Sequence, residues 1–120
     1  MELKVTHIEG IVPQGTVNVT PYSGSYDETD GEARFECNDE SVNNAVYLFG
    51  FFDQFPVTND TVFDVTLAEI IHNGVLYHIR HSAQPSISIN GNEVTLTYTD
   101  CLLPLNGTNG TIIVKFINQL

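Results

Sequence analysis

A chain of 120 residues with 42% hydrophobic content, seven Phe and five Tyr is long enough to bury a core of its own, which argues against disorder. Fifteen Asp and Glu face only Lys4, Arg34, Arg80 and Lys115, giving a net charge of −11, and four scattered cations build no patch able to displace counterions from nucleic acid, which is excluded as a partner. No run approaches the roughly 18 apolar residues of a membrane helix, and the opening Met-Glu-Leu-Lys-Val-Thr-His-Ile alternates like a strand where a signal peptide would be continuously apolar, so the expectation is cytoplasmic synthesis without a leader and no membrane contact.

Alternating apolar and polar residues mark strands over residues 3–8, 16–21, 33–37, 45–52, 62–72, 75–81, 86–89, 93–99 and 111–117. Gly, Asn, Asp and Pro separate them at short, even intervals, and no segment has convincing helical periodicity. The expected fold is all-β: an antiparallel β-sandwich, Ig-like or jelly-roll-like, of eight or nine strands in a single domain over residues 1–120. Long loops are expected over residues 22–32 and 38–44. Lys4 and Lys115 fall in the first and last strands, where a charge discourages unwanted pairing, and this places the terminal strands at sheet edges.

Two Asn-Gly pairs fix hairpins, because a type I′ turn needs φ > 0 at both central residues. With Asn73-Gly74 as a two-residue turn, Ile70 faces Tyr77 and Ala68 faces Ile79, while Glu69 faces His78 and Leu67 faces Arg80 on the other side. With Asn90-Gly91 as the turn, Ile87 faces Val94, and Ile89 and Leu96 join them on one face.

Two strands are apolar on both faces. Residues 45–52 put Val46, Leu48 and Phe52 on one side and Tyr47, Phe49 and Phe51 on the other, with Phe55 just beyond. Residues 111–117 turn Ile112, Val114 and Phe116 inward and leave Ile113 and Ile117 flanking Lys115. A two-layer fold buries one face of each strand, so the second needs a cover, either a loop of the chain or another subunit. Tyr47, Phe49, Phe51, Phe55, Ile113 and Ile117 are therefore the candidate interface residues.

The chemistry-bearing residues give less. His78 and His81 stand three apart on a strand and point to opposite faces, and His72 and His81 lie at opposite ends of the hairpin, so no metal site is expected. Glu69 opposite His78 reads as a cross-strand ion pair before an acid/base couple. Asp27-Glu28-Thr29-Asp30-Gly31-Glu32 misses the calcium-loop spacing, since Gly31 is fifth where the loop needs Gly sixth, and reads as a solvated acidic loop. The chain has no nucleophile elbow, phosphate loop or dinucleotide fingerprint, and neither catalytic residues nor a cofactor are assigned. Asn18, Asn59, Asn106 and Asn109 each begin an Asn-x-Ser/Thr triplet, read as coincidence in a chain without a leader. Cys37 and Cys101 are read as free thiols. Their spacing resembles an immunoglobulin inter-sheet pair, but there is no Trp, and Thr99 stands where the tyrosine corner would place Tyr; Ig-like describes a layout only.

The leading expectation is a non-enzymatic structural or interaction protein, a small accessory subunit of a virus particle such as a bacteriophage capsid-decoration or tail-associated protein, part of an oligomer or larger assembly. Compact β domains that bury apolar strands against neighbours suit such particles, and an acidic exterior suits their outer surface. The alternative is a carbohydrate or cell-surface binding module in which Tyr22, Tyr26, Phe51 and Phe55 would supply stacking rings. A small hydrolase comes third. Rings open at one end of the sandwich favour a sugar site, and rings on a flat sheet face favour a protein interface.

Overall fold

Asn73 and Gly74 have φ of 49° and 82°, and this pair of left-handed residues closes the hairpin that the Asn-Gly signal predicts. Its register is the expected one, with Ile70 opposite Tyr77 and Glu69 opposite His78. The computed structural model describes residues 2–20, 22–29, 32–41, 43–78, 84–99 and 110–119. The partners Ile79 and Arg80, together with His81 and Cys101, lie outside them.

Ten strands follow in chain order: β1 (Val5–Val12), β2 (Gly15–Asn18), β3 (Ser23–Thr29), β4 (Glu32–Glu40), β5 (Ala45–Phe52), β6 (Phe63–His72), β7 (Val75–His78), β8 (Ser86–Asn90), β9 (Glu93–Thr99) and β10 (Thr111–Ile117). They form two five-stranded antiparallel sheets, ordered β2-β1-β10-β9-β8 and β3-β4-β5-β6-β7, with no helix among the described residues. The second sheet is a run of consecutive strands. The first is assembled from both ends of the sequence.

Period-2 patterning sets which side of each strand is inside. Val94, Leu96 and Tyr98 of β9, Ile112, Val114 and Phe116 of β10, Val46, Leu48 and Phe52 of β5, and Phe63, Val65, Ala68 and Ile70 of β6 are all buried in one core cluster shared by the two sheets. Each large side chain removed from water here contributes about 1.5–3 kcal/mol. At one end, Tyr26 packs on Phe55 with ring centroids 4.6 Å apart, and Phe52 lies 5.7 Å from Tyr26 and 5.4 Å from Phe63. The β5–β6 connection, which contains a cis Phe55–Pro56 bond, is fastened there. The Asn118 side chain accepts from the Val57 N–H at 2.7 Å and donates to its carbonyl at 2.9 Å, while Asp53 Oδ1 accepts from the Val62 N–H at 3.0 Å.

Three expectations are corrected. Most of the predicted loop over residues 22–32 is strand: β3 pairs with β4 from Ser23–Asn38 to Thr29–Glu32, and β4 itself runs on to Glu40, shortening the second predicted loop. Only Tyr26 gives β3 a buried aromatic, so its sequence carries little inward apolar signal. The second hairpin turns on Gly91-Asn92, with Asn90 opposite Glu93, Ile89 opposite Val94 and Ile87 opposite Leu96. Only Gly91, φ 62°, has positive φ, the pattern of a type II′ turn with Gly first. Finally, β1 and β10 pair with each other inside their sheet, so the terminal strands are not edges, and Lys4 precedes β1.

Candidate interaction surface

β5 is the central strand of its sheet, and its outward residues Tyr47, Phe49 and Phe51 form a half-buried aromatic row. Opposite them on β6 stand Glu69, Leu67 and Asp64. Phe49 and Phe51 meet edge-on, with centroids 5.8 Å apart at 74°. Phe49 and Phe51 share a face by strand alternation; opposite them a β-bulge at Thr66 shifts the phase of β6, so that Asp64 and Leu67 both face outward, and the Thr66 hydroxyl donates to the Phe49 carbonyl at 3.2 Å. Gly50 is required there, because any Cβ would run into the Asp64 carbonyl.

The apolar surface does not stop at β5. Leu67 is 39% exposed and Leu76 40%, and Val62, 56% exposed, borders a notch of about 230 Å³ lined with Phe51, Phe52, Asp53 and Asp64. Polar and charged groups frame the patch. His78 Nδ1 lies 3.0 Å from Glu69 Oε2 beside Tyr47, Arg34 lies 3.1 Å from Asp27 beside Phe51, and Glu36 faces Phe49 from β4. Glu69 and His78 thus form the expected cross-strand pair, and exposed pairs of this kind contribute at most about 1 kcal/mol.

The other double-sided strand is different. β10 is also central, and its outward residues are half-buried between neighbours: Ile113 lies between Glu9 and Thr97, Lys115 between His7 and Thr95, and Ile117 beside Glu93. None of these isoleucines is among the exposed large apolar residues, which on the outer side concentrate around β5 and β6. Phe55 packs against the core end with Tyr26 and Phe52, away from the Tyr47–Phe51 row. The six candidates therefore separate into three places: the β5 row, the β10 face and the core end.

Sequence reasoning placed Leu67 on the ionic face of the hairpin but left it, with Leu76 and Val62, out of the candidate set. The signal was its period-2 position beside Glu69. The clamp made by Asn118 had no signal, since it joins residues 61 positions apart.

The four rings proposed for sugar stacking are also dispersed. Tyr26 is 3% exposed, Phe55 lies tilted against it, Tyr22 packs toward His7 at 6.3 Å and donates to Asn18, and Phe51 is on the sheet face. In the acidic segment, Asp27 pairs with Arg34 and Glu28 accepts from the Tyr26 hydroxyl at 3.3 Å, so successive carboxylates point to opposite faces of β3. Burial, then the Glu28 charge, raises the Tyr26 pKa above its usual value. Among the described residues no group of three His, Cys, Asp and Glu gathers where an ion could be held, and no helix is long and apolar enough to cross a membrane. Cys37 is a free, buried thiol whose pKa is pushed up to about 12 by burial, with the Glu36 charge adding to it.

Fold and surface together define an all-β protein of two facing antiparallel sheets with a charge-framed apolar patch on one outer face. Comparison of the chain with protein-family models, with curated proteins and with solved structures finds no match in any of the three.

Proposed function

We propose that this chain is a non-enzymatic structural and interaction protein that joins a larger assembly through the outer face of the β3–β7 sheet, as a small accessory subunit of a virus particle. The observation that carries the reading is the aromatic row of β5 with Leu67 and Leu76 exposed beside it. Aromatic side chains at the centre of a patch, ringed by polar groups, are the usual anchors of protein interfaces. The partner is a protein surface that is apolar at its centre and basic at its rim, complementary to Glu36, Asp64 and Glu69 and to the net charge of −11. The reading needs only the two facing sheets and no particular Ig-like or jelly-roll-like connectivity.

Phe51→Ala and Leu67→Glu test it in the organism that makes the protein. Both are expected to reduce co-sedimentation with the native assembly at least about tenfold, while thermal midpoints of the purified variants stay within about 5 °C of the parent. Ile113→Asp, on the opposite outer face, is expected to leave co-sedimentation intact. Incorporation of Leu67→Glu at parental levels, or loss of stability without loss of assembly, sinks the proposal.

A second reading is favoured by one observation. A concavity of about 410 Å³ at the end of the sandwich combines the Phe55 ring with Glu28, Asn92 and Gln119, a mixture suited to a sugar. It ranks below the first because Tyr26 is buried there and the Asn118 amide already serves Val57. Saturable binding of a glycan that is abolished by Phe55→Ala would reverse the order.

A further inference from the structure

Two five-stranded sheets have four edges, and each edge strand exposes backbone groups able to template another strand unless something prevents it. β2 and β7 are only four residues long. β3 carries Asp27 and Glu28, and its backbone is partly covered by the Glu2–Ser25 bridge and by the Leu3 N–H, which donates to the Gly24 carbonyl at 3.2 Å. Among the described residues β8 has none of these protections. It reads Ser-Ile-Ser-Ile-Asn, with no charge and no proline, every side chain but Ile87 is exposed, and among the described residues no strand lies on its outer side.

Its geometry says which backbone groups are available. A two-residue turn closes on a hydrogen-bonded pair, here Asn90 and Glu93, and pairs along an antiparallel ladder alternate between bonded and non-bonded. Ser86, Ser88 and Asn90 therefore direct their N–H and C=O groups to β9. Ile87 and Ile89 direct theirs to the side away from β9, where no described strand lies.

We infer that β8 pairs with β8 of a second copy of this chain, antiparallel about a two-fold axis at Ser88, so that two five-stranded sheets become one of ten. In that register Ile87 stands opposite Ile89 of the second copy, and Ile89 opposite its Ile87. All four residues present outward groups, so each pair exchanges two hydrogen bonds. Ser88 meets its own symmetry mate, and Ser86 meets Asn90. A shift by one residue would set outward groups against groups already bonded to β9, and a shift by two would lose one bonded pair. No charge faces a like charge across the strand pair. The isoleucines continue the inward-facing rows of Val94 and Leu96, so Ile89, 37% exposed in the single chain, gains a cover. The contact is isologous and closes on itself. It leaves the β5 face untouched, so the dimer carries two copies of that surface.

Ser88→Glu and Ser88→Lys supply the test, because residues on the axis stand about 5 Å from their symmetry mates. Sedimentation equilibrium of the whole chain from micromolar to millimolar concentration is expected to show a dimer that tightens with added salt, since each copy carries −11. Each variant alone is expected to raise the dimer dissociation constant at least about tenfold. An equimolar mixture of the two should restore association to within about threefold of the parent, because Glu then faces Lys; a variant that had merely failed to fold would not be rescued. Leu67→Glu should leave the dimer unchanged, which separates this contact from the β5 face. A parent chain that stays monomeric to millimolar concentration, charge variants that associate like the parent, a mixture that remains monomeric, or a dimer abolished by Leu67→Glu would each overturn the inference.

Discussion

Cys37 shows at single-residue scale how position sets chemistry. Its thiol in the folded chain has a pKa pushed up to about 12, against an ordinary value of 9.0, first by burial and then by the neighbouring Glu36 charge. The unfolded chain therefore releases this proton earlier than the folded one, so the associated stability is complete below pH 9 and declines as the pH climbs toward 12. Tyr26, also raised, acts with the same sign from its ordinary value of 10.0 upward. Urea midpoints are expected to fall between pH 9 and 11, and Cys37→Ala to flatten part of that fall; an equally steep fall in the variant would remove the thiol from the account. Gly74 makes the corresponding point about the backbone. At φ 82° it occupies a region that L side chains adopt at a cost of about 1–2 kcal/mol, so Gly74→Val should destabilise the protein by roughly that amount in equilibrium denaturation. A loss under about 0.5 kcal/mol would contradict the turn.

At the scale of elements, the sequence was most legible where a turn demanded a particular backbone. Asn73-Gly74 specifies its hairpin because both residues must be left-handed, and the register followed from it. Asn90-Gly91 misled because sliding a hairpin's pairing by two residues leaves every side chain on its original face. Ile87, Ile89, Val94 and Leu96 share a side in either register, so hydrophobic patterning could not choose, and the Gly91-Asn92 turn did. β3 was illegible for another reason: it is an edge strand anchored by Tyr26, and its polar residues have the composition of a loop. The β5 row was legible from its double-sided pattern, whereas the fastening of the β5–β6 connection was not, because Asn118 reaches it from beyond β10. Asn118→Ala removes both side-chain bonds to Val57 and should cost about 1–3 kcal/mol. Amide exchange within residues 53–62 is expected to accelerate more than exchange in β9. Uniform acceleration across the molecule would mean that Asn118 supports the whole fold and not this connection.

On the scale of the whole molecule, two apolar-backed outer faces have different fates because of strand neighbours. Both β5 and β10 are central, yet β10 is flanked by Glu9, Thr95 and Thr97, which crowd its isoleucines, while β5 is flanked by Leu67, which extends the apolar area. Strand composition alone shows the double-sided pattern, and only the lateral order of strands shows which face stays open. That order also has a temporal side. β3 to β7 are consecutive, so their sheet can close from neighbouring hairpins as soon as residue 78 has left the ribosome. β1 and β2 can close a hairpin of their own, but the other side of β1 lies against β10, so that side must wait unpartnered until residues 111–117 have been made. Contacts across so long a separation form late in folding and leave an open edge in the meantime. In pulse-labelled exchange during refolding, amides of β4, β5 and β6 should gain protection before those of β1 and β10, and simultaneous protection of both sheets would refute this order. Synthesis is then a race between the arrival of β10 and the capture of β1 by some other strand, and slowing translation just before residue 111 should lengthen the interval in which β1 can be lost to aggregation.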